Sequence, residues 1–221
     1  MLKKTIAALF AACLMLTGAA AAGTIFPAQR TGVDGVARYG YLDESGRTIL
    51  PYAYAQAGEF ADCGLAAVEN EKWQTAVIDR EGHLVVPYQD APLSVEFSDD
   101  AIAYRYADHS VYYTLTGEQT GSYAGAVGFF SDGLLLCKGP ASGRYSYVKP
   151  DGSPAFDGEF TEAGVFSDGL ALVRTAEGQC LVIDTEGHAR YTLESGGQPS
   201  YMGIYSGATV GLVPGAHSAV Y

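Results

Sequence analysis

The apolar positions of this chain come in short runs, each broken by a few polar residues and a glycine, and the runs repeat. "FSDGLALV" (Phe166 to Val173) has a near copy in "FSDGLLLC" (Phe130 to Cys137) and looser ones in "FADCGLAAV" (from Phe60) and "FSDDAIAYRY" (from Phe97). A second, β-branched and aromatic run follows each phrase, as in "SVYYTL" (Ser110 to Leu115), "YSYV" and "CLVID". Runs of Tyr, Val, Ile and Thr with polar interruptions favour strands over helices. Only the N-terminal apolar segment has the length of a helix.

Turn glycines set the period. "DESG" ends at Gly46, "DREG" at Gly82, "TLTG" at Gly117, "KPDG" at Gly152 and "DTEG" at Gly187, spacings of 36, 35, 35 and 35 residues. Such regularity marks repeated supersecondary units. Asp43, Asp79 and Asp184 open three of these turns, where a carboxylate can accept from backbone amides two residues on while the glycine takes a left-handed conformation. They are therefore read as turn-makers. His83 and His188 each follow a turn glycine, and their recurrence reflects the shared template; a metal site would need them close in space, which distant repeats rarely provide.

The phenylalanine phrase has a similar explanation. Phe60, Phe97, Phe130 and Phe166 are expected between neighbouring units, with Asp62, Asp99, Asp132 and Asp168 capping the turn into a strand. Leu65, Ile102, Leu134 and Leu170 are expected to point inward beside them. Each such burial contributes about 1.5–3 kcal/mol, and an isolated unit could not close a core around it, so stacking is required.

"GYLDESGRTILPYAYAQAGEFADCGLAAV" (Gly40 to Val68) followed by "KWQTAVIDREGHLVVPYQDA" (Lys72 to Ala91) resembles the bacterial WG, or KWG, repeat. In that family a Trp-Gly-aromatic strand leads into Asp-x-x-Gly, an apolar run often ending in Pro, and then Phe-Ser-Glu-Gly-Leu-Ala. Tyr39-Gly40-Tyr41 stands in the Trp-Gly position, Lys72-Trp73 keeps the Lys-Trp but is followed by Gln74, and Pro51 and Pro87 match the proline. "HSVYYTLTGE" and "GRYSYVKPDG" lack both the Trp and the paired Gly. The resemblance covers roughly residues 33–221. It implies an often exported bacterial repeat of unassigned biochemical activity and brings no catalytic motif.

Charge and the N-terminus narrow the setting. Lys3 and Lys4 precede an apolar run from Thr5 to Leu16 and then "TGAAAAG", the pattern of a signal peptide cleaved after Ala22. That run is shorter than the roughly 20 residues that span a bilayer. "LTGA" has Ala19 where a lipoprotein would need Cys, and Cys13 has little apolar sequence before it. The expected division is a signal peptide at 1–22, a linker at 23–32 and a β-repeat domain at 33–221, secreted or associated with the cell envelope, with no membrane span after cleavage. The chain holds 25 acidic and 13 basic residues for a net charge of −12; loss of Lys3 and Lys4 makes the balance more acidic. Nucleic acid is an unsuitable partner, since binding a polyanion needs clustered Lys and Arg. Cys63, Cys137 and Cys180 form no C-x-x-C pair and read as small buried hydrophobes, although export would permit one disulfide.

The expected fold is all-β, about five tandem β-meander repeats of ~35 residues. A propeller-like ring is favoured over an open β-solenoid, because "YSGATVGLV" (Tyr205 to Val213) resembles the phenylalanine phrase and could complete the N-terminal unit, hiding sheet edges. The expected function is a non-catalytic binding or scaffold module of the bacterial envelope, with an unknown protein or cell-wall glycan as partner and no cofactor, metal or catalytic residue. Tyr104, Tyr106, Tyr112, Tyr113, Tyr145 and Tyr147 are conceivable platforms for sugars, against the simpler reading that strand tyrosines pack on neighbours with the hydroxyl at the rim. The alternative is a secreted propeller-type glycoside hydrolase using paired carboxylates drawn from Glu59, Asp99, Asp100, Glu159 and Glu162. Calcium is disfavoured, because the D-x-[DN]-x-[DN]-G pattern is absent.

Overall fold

The computed structural model describes residues 23–193, and every regular element among them is a strand. The first sheet runs β1 (Ile25–Thr31), β2 (Ala37–Asp43), β3 (Thr48–Tyr54). The second runs β4 (Gln56–Ala57), β5 (Ala66–Glu69), β6 (Gln74–Ile78), β7 (Leu84–Asp90). The third holds β8 (Ser94–Phe97), β9 (Ala101–Arg105), β10 (His109–Thr114) and β11 (Gln119–Ala124). The fourth holds β12 (Ala126–Ser131), β13 (Leu134–Lys138) and β14 (Tyr145–Val148), and the fifth β15 (Glu162–Ala163), β16 (Leu170–Arg174), β17 (Cys180–Asp184) and β18 (Ala189–Leu193). Each sheet is an antiparallel meander in chain order. In the fourth, bridges Val148↔Pro154 and Tyr145↔Phe160 hold the place of an outer strand.

The two turn types explain why the chain reverses where it does. All five period-setting glycines have positive φ, between 80° and 86°. In the phenylalanine phrase, Asp132-Gly133 and Asp168-Gly169 are consecutive left-handed residues (φ 49° and 76°, 52° and 76°), the conformation of a two-residue hairpin whose twist matches that of strands. The Asp in these two turns thus serves by tolerating left-handed backbone. Its carboxylate can then act elsewhere: Asp132 Oδ2 accepts from Gly169 N of the next sheet at 2.8 Å. In the third sheet it is Ser98, rather than Asp99, whose Oγ accepts from the amide that starts the strand.

The core lies between sheets. Inner strands bury both faces, so alternate residues go to opposite neighbours: β13 sends Leu135 and Cys137 toward the third sheet and Leu134 and Leu136 toward the fifth. Phe166 is fully buried in such a layer, while Phe60, Phe97 and Phe130 are half-buried at its margin. Leu65, Ile102 and Leu134 are buried and Leu170 is partly so. Strand pairing sets Ile102 opposite Tyr113 and Ala66 opposite Ile78, which makes Ile102 the counterpart of Ala66, one position beyond Leu65.

One aromatic organises each layer. Tyr41, Tyr112 and Tyr147 hold the same place in their middle strands and face a small residue of the next sheet, respectively Val68, Cys137 and Val173. Between the second and third sheets the sizes are exchanged: Val77 holds the tyrosine place and Tyr104 the small one. The volume is filled from the opposite side. Gly40 is fixed by a different constraint, because β2 and β3 shift register on either side of Tyr41 and a Cβ at Gly40 would meet the Leu50 carbonyl oxygen at 2.7 Å.

Two expectations are corrected here. Residues 23–32 are no linker, since β1 pairs with β2 from Ile25↔Asp43 to Thr31↔Ala37 through a hairpin containing Asp34-Gly35. β1 therefore occupies the place that Tyr205 to Val213 was expected to supply in the first unit; that segment lies outside the described residues. Lys72-Trp73 is likewise out of register with Tyr39-Gly40. Trp73 sits in the turn before β6 with φ 62° and is 66% exposed, and the pairings Tyr41↔Leu50 and Val77↔Val86 make Thr75-Ala76-Val77 the counterpart of Tyr39-Gly40-Tyr41.

The exchanged sizes predict a compensating pair. Tyr104→Val is expected to cost about 2–4 kcal/mol through the cavity it leaves, and Val77→Tyr about 1–3 kcal/mol through overpacking. The double variant restores the arrangement of the other layers and should recover at least about 1 kcal/mol of the summed loss in urea unfolding, as coupled neighbours do; strict additivity would refute the exchange.

Candidate functional site between the second and third sheets

Hydrogen bonds across the sheet interfaces follow the tyrosine ladder, with one exception. Tyr41 Oη donates to Gly58 O at 2.8 Å, Tyr112 Oη to Gly128 O at 2.6 Å, and Tyr147 Oη to Gly164 O. At the third-to-fourth interface the Gly128 carbonyl also accepts from Arg105 Nη2 at 2.7 Å. Arg105 in turn is held by Glu96 at 2.8 Å and donates to Tyr112 Oη. Two donors thus tie the first strand of the fourth sheet to the third.

The second-to-third interface lacks both. Val77 stands in for the tyrosine, and Glu69, paired with Thr75, ends β5 where Arg105, Lys138 and Arg174 end the corresponding strands. Among the described residues, the hydrogen bond across this interface is a long one, Tyr104 Oη to Thr75 O at 3.5 Å. A cleft of about 270 Å³ opens there, lined by Gln56, Ala57, Gly58, Ala67, Glu69, Thr75, and residues 92–95 of the third sheet. Leu93 at its margin is 75% exposed. Glu69 has no ion-pair partner among the described residues, unlike Glu96 and Glu162, which are held by Arg105 and Arg174.

With this geometry in view, the comparisons identify the repeat. The family described as WG containing repeat matches residues 39–73 and 145–177. The chain carries WG repeats. Each matched segment begins in a middle strand and ends in the next sheet, so Tyr41 with Gly58, and Tyr147 with Gly164, lie within single WG repeats. The WG repeat is therefore the joint between two sheets. No curated protein matches the sequence. Among solved structures, Kluyveromyces lactis Hsv2 is similar at 11% identity over 70% of this chain and 57% of that one, with a TM-score of 0.42. BamB from Moraxella catarrhalis is similar at 11% identity over 78% and 61%, TM-score 0.39, and the C-terminal WD40 domain of Sif2 at 14% over 75% and 57%, TM-score 0.37. The chain spans about three-fifths of the length of the first structures it matches.

The residues singled out in the sequence have mostly structural partners. Asp43 Oδ1 accepts from the amides of Ser45 and Arg47, Asp79 Oδ1 from Glu81 and His83, and Asp184 Oδ1 from Glu186 and His188. Thr114 Oγ1 fills the same role for Glu118 N, and in the fourth unit Asp151 accepts from Ser153 N. His83 and His188 are brought together with carboxylates of their own turns, in Asp79-Glu81-His83 and Asp184-Glu186-His188, whose candidate ligand atoms lie within 4.8 Å. In the first of these the turn's amides and the His83 ring already engage both oxygens of Asp79. Sequence reasoning looked for such groups across repeats and passed over the single turn.

Of the tyrosines weighed as platforms, Tyr104, Tyr112, Tyr113 and Tyr147 are buried and Tyr106 and Tyr145 partly buried. Burial and edge-to-face neighbours account for them; Tyr147 packs against Phe166 at 4.8 Å. Glu162 is held by Arg174 at 3.2 Å and Asp100 accepts from Ser98 Oγ at 2.8 Å, while Glu59, Asp99 and Glu159 are exposed. Cys63, Cys137 and Cys180 are free thiols, and burial raises the Cys137 thiol above its usual range. The cleft itself was missed. Its signal, a carboxylate at Glu69 where later units carry Arg or Lys, is visible only after the strands are put in register.

Turn carboxylates set the acid limit. Hydrogen bonds from Ser45 and Arg47 hold Asp43 down to about 2. Burial pushes Asp79 and Asp184 up, but bonds from the His83 and His188 amides and the charges of those rings leave both below the ordinary carboxylate range. Groups depressed in the folded state stabilise it above the unfolded value of about 3.9 and lose that contribution as pH falls toward the folded one. Urea midpoints should therefore drop between about pH 4 and pH 2. Asp43→Asn, which keeps the acceptor oxygen but cannot titrate, should make that drop shallower, and an unchanged slope would exclude Asp43 as a contributor.

Proposed function

We propose that this chain is an exported, non-catalytic WG-repeat binding module of the bacterial envelope, and that it engages its partner at the cleft between the second and third sheets. The observation that carries this reading is the break in the repeat. At the other described joints a tyrosine hydroxyl bonds a glycine carbonyl of the next sheet, reinforced by Arg105 at the third-to-fourth joint, and a residue engaged in packing is unavailable to a ligand. At the second-to-third interface the same positions leave an open, partly polar cleft with an apolar rim, the type of concave surface that small groups of a partner enter. Export is inferred from residues 1–22, which lie outside the described residues. No helix among the described residues is long and apolar enough to cross a membrane.

For the arrangement of the sheets, a ring is favoured over an open array. Among the described residues the first sheet has no counterpart of β4, and closure of a ring would cover the edge this leaves at β1. A protein partner is favoured over a glycan, because the residues that line the cleft include no aromatic side chain of the kind that stacks on sugars.

A photo-crosslinking amino acid at position 93, on the cleft rim, should yield a discrete adduct when the full chain is mixed with envelope proteins. The same group at Leu84, which is also exposed but in β7 of the second sheet, should yield none. Equal adducts at both positions, or none at 93, would remove the cleft from consideration. Turnover of chromogenic glycosides by the pure chain would overturn the non-catalytic reading.

A further inference from the structure

We propose that the cleft between the second and third sheets receives an arginine or lysine side chain from a polypeptide partner, with Glu69 as its counter-charge. This rests on the reading of that cleft as the binding site and adds the chemistry that selects the ligand.

The argument is one of replacement. At the third-to-fourth interface a cation of the chain itself, Arg105, lies across the joint, held by Glu96 and donating to Tyr112 and to the Gly128 carbonyl. The register places Glu69 at the position of Arg105 and Val77 at that of Tyr112. Both protein donors are thereby removed from the second-to-third joint and a carboxylate is put in the space one of them would fill. The lining reads accordingly: Glu69, Gln56, Thr75 and Ser94 offer oxygen acceptors, and Leu93 and Val95 offer apolar surface. A guanidinium or ammonium on an aliphatic stem matches that combination, because its head is charged and its stem is apolar. Arginine suits it better, since its planar fork can meet a carboxylate and a neighbouring acceptor together.

The polypeptide source follows from what borders the cleft. Gln56 and Ala57 belong to β4 and Ser94 and Val95 to β8, and each of these strands is the outermost of its sheet. Outermost strands carry unpaired backbone groups that an extended chain can bond. The 75% exposure of Leu93 adds apolar contact for a neighbouring residue of such a chain. The formal charge of −12 for the whole chain would also draw a basic segment toward the protein.

The test uses the full chain against an array of hexapeptides with one fixed arginine, and a matched array with citrulline, its uncharged isostere. The highest-affinity arginine peptide is then titrated in solution, read by calorimetry and by the fluorescence of Trp73, the chain's one tryptophan, which lies in the turn directly after β5. The expected result is binding at least about tenfold tighter for arginine than for citrulline, a difference of about 1.4 kcal/mol. The preference should disappear in Glu69→Gln, and binding should be lost in Glu69→Arg, whose melting curve should match that of the parent chain. Equal binding of both peptides, or a preference untouched by Glu69→Gln, overturns the cation assignment while leaving a binding cleft in place. Arginine amide binding as tightly as the peptide overturns the polypeptide source. Absence of binding by every arginine peptide overturns the proposal as a whole.

Discussion

Everything in this protein depends on side chains that belong to one sheet and are buried by the next. A single meander of three or four short strands has two apolar faces and no interior, so its inner strands can lose their contact with water only by lying between neighbours. The tyrosine in the middle strand is the unit of that dependence. Its ring fills the layer and its hydroxyl satisfies a backbone carbonyl that the next sheet's first strand would otherwise leave open, at Gly58, Gly128 and Gly164. A hydrogen bond of this kind contributes about 0.5–1.5 kcal/mol, so ring and hydroxyl act together in holding two sheets at one spacing.

This makes the boundary of the sequence repeat intelligible. The matched WG segments start in one sheet and end in the next, so what recurs along the chain is the joint between sheets. A joint can vary only if both sides vary together. The second-to-third layer shows one such change, with Val77 and Tyr104 in exchanged places, and the exchange keeps the hydrophobic volume while losing the polar tie. The cleft opens at that same interface. Function is here read from the place where the repeat departs from itself, because the tyrosines at the other described joints are already explained by packing and by their bonds to glycine carbonyls.

Much of the fold was legible in the residues. The period came from glycines that need positive φ, and the strands from runs of β-branched and aromatic residues; both are local properties that each segment expresses by itself. The strand at residues 25–31 also had a local signal, since Asp34-Gly35 between two apolar stretches is a hairpin pattern. The misplacement of Trp73 arose from trusting residue identity above spacing. Gly40 lies three positions before Asp43, and the same offset back from Asp79 reaches Ala76.

The amino-acid order by itself determined that this chain would form short strands, turn at fixed intervals and need neighbouring units to bury its apolar runs, because turn conformation and side-chain hydrophobicity are carried by the residues themselves. Only the tertiary structure decided which face each residue takes, which tyrosine meets which carbonyl, and that Glu69 and Val77 leave a space between two sheets. Those facts depend on strand register and on the size of partners more than twenty residues away, such as Val77 and Tyr104, and no local stretch contains them.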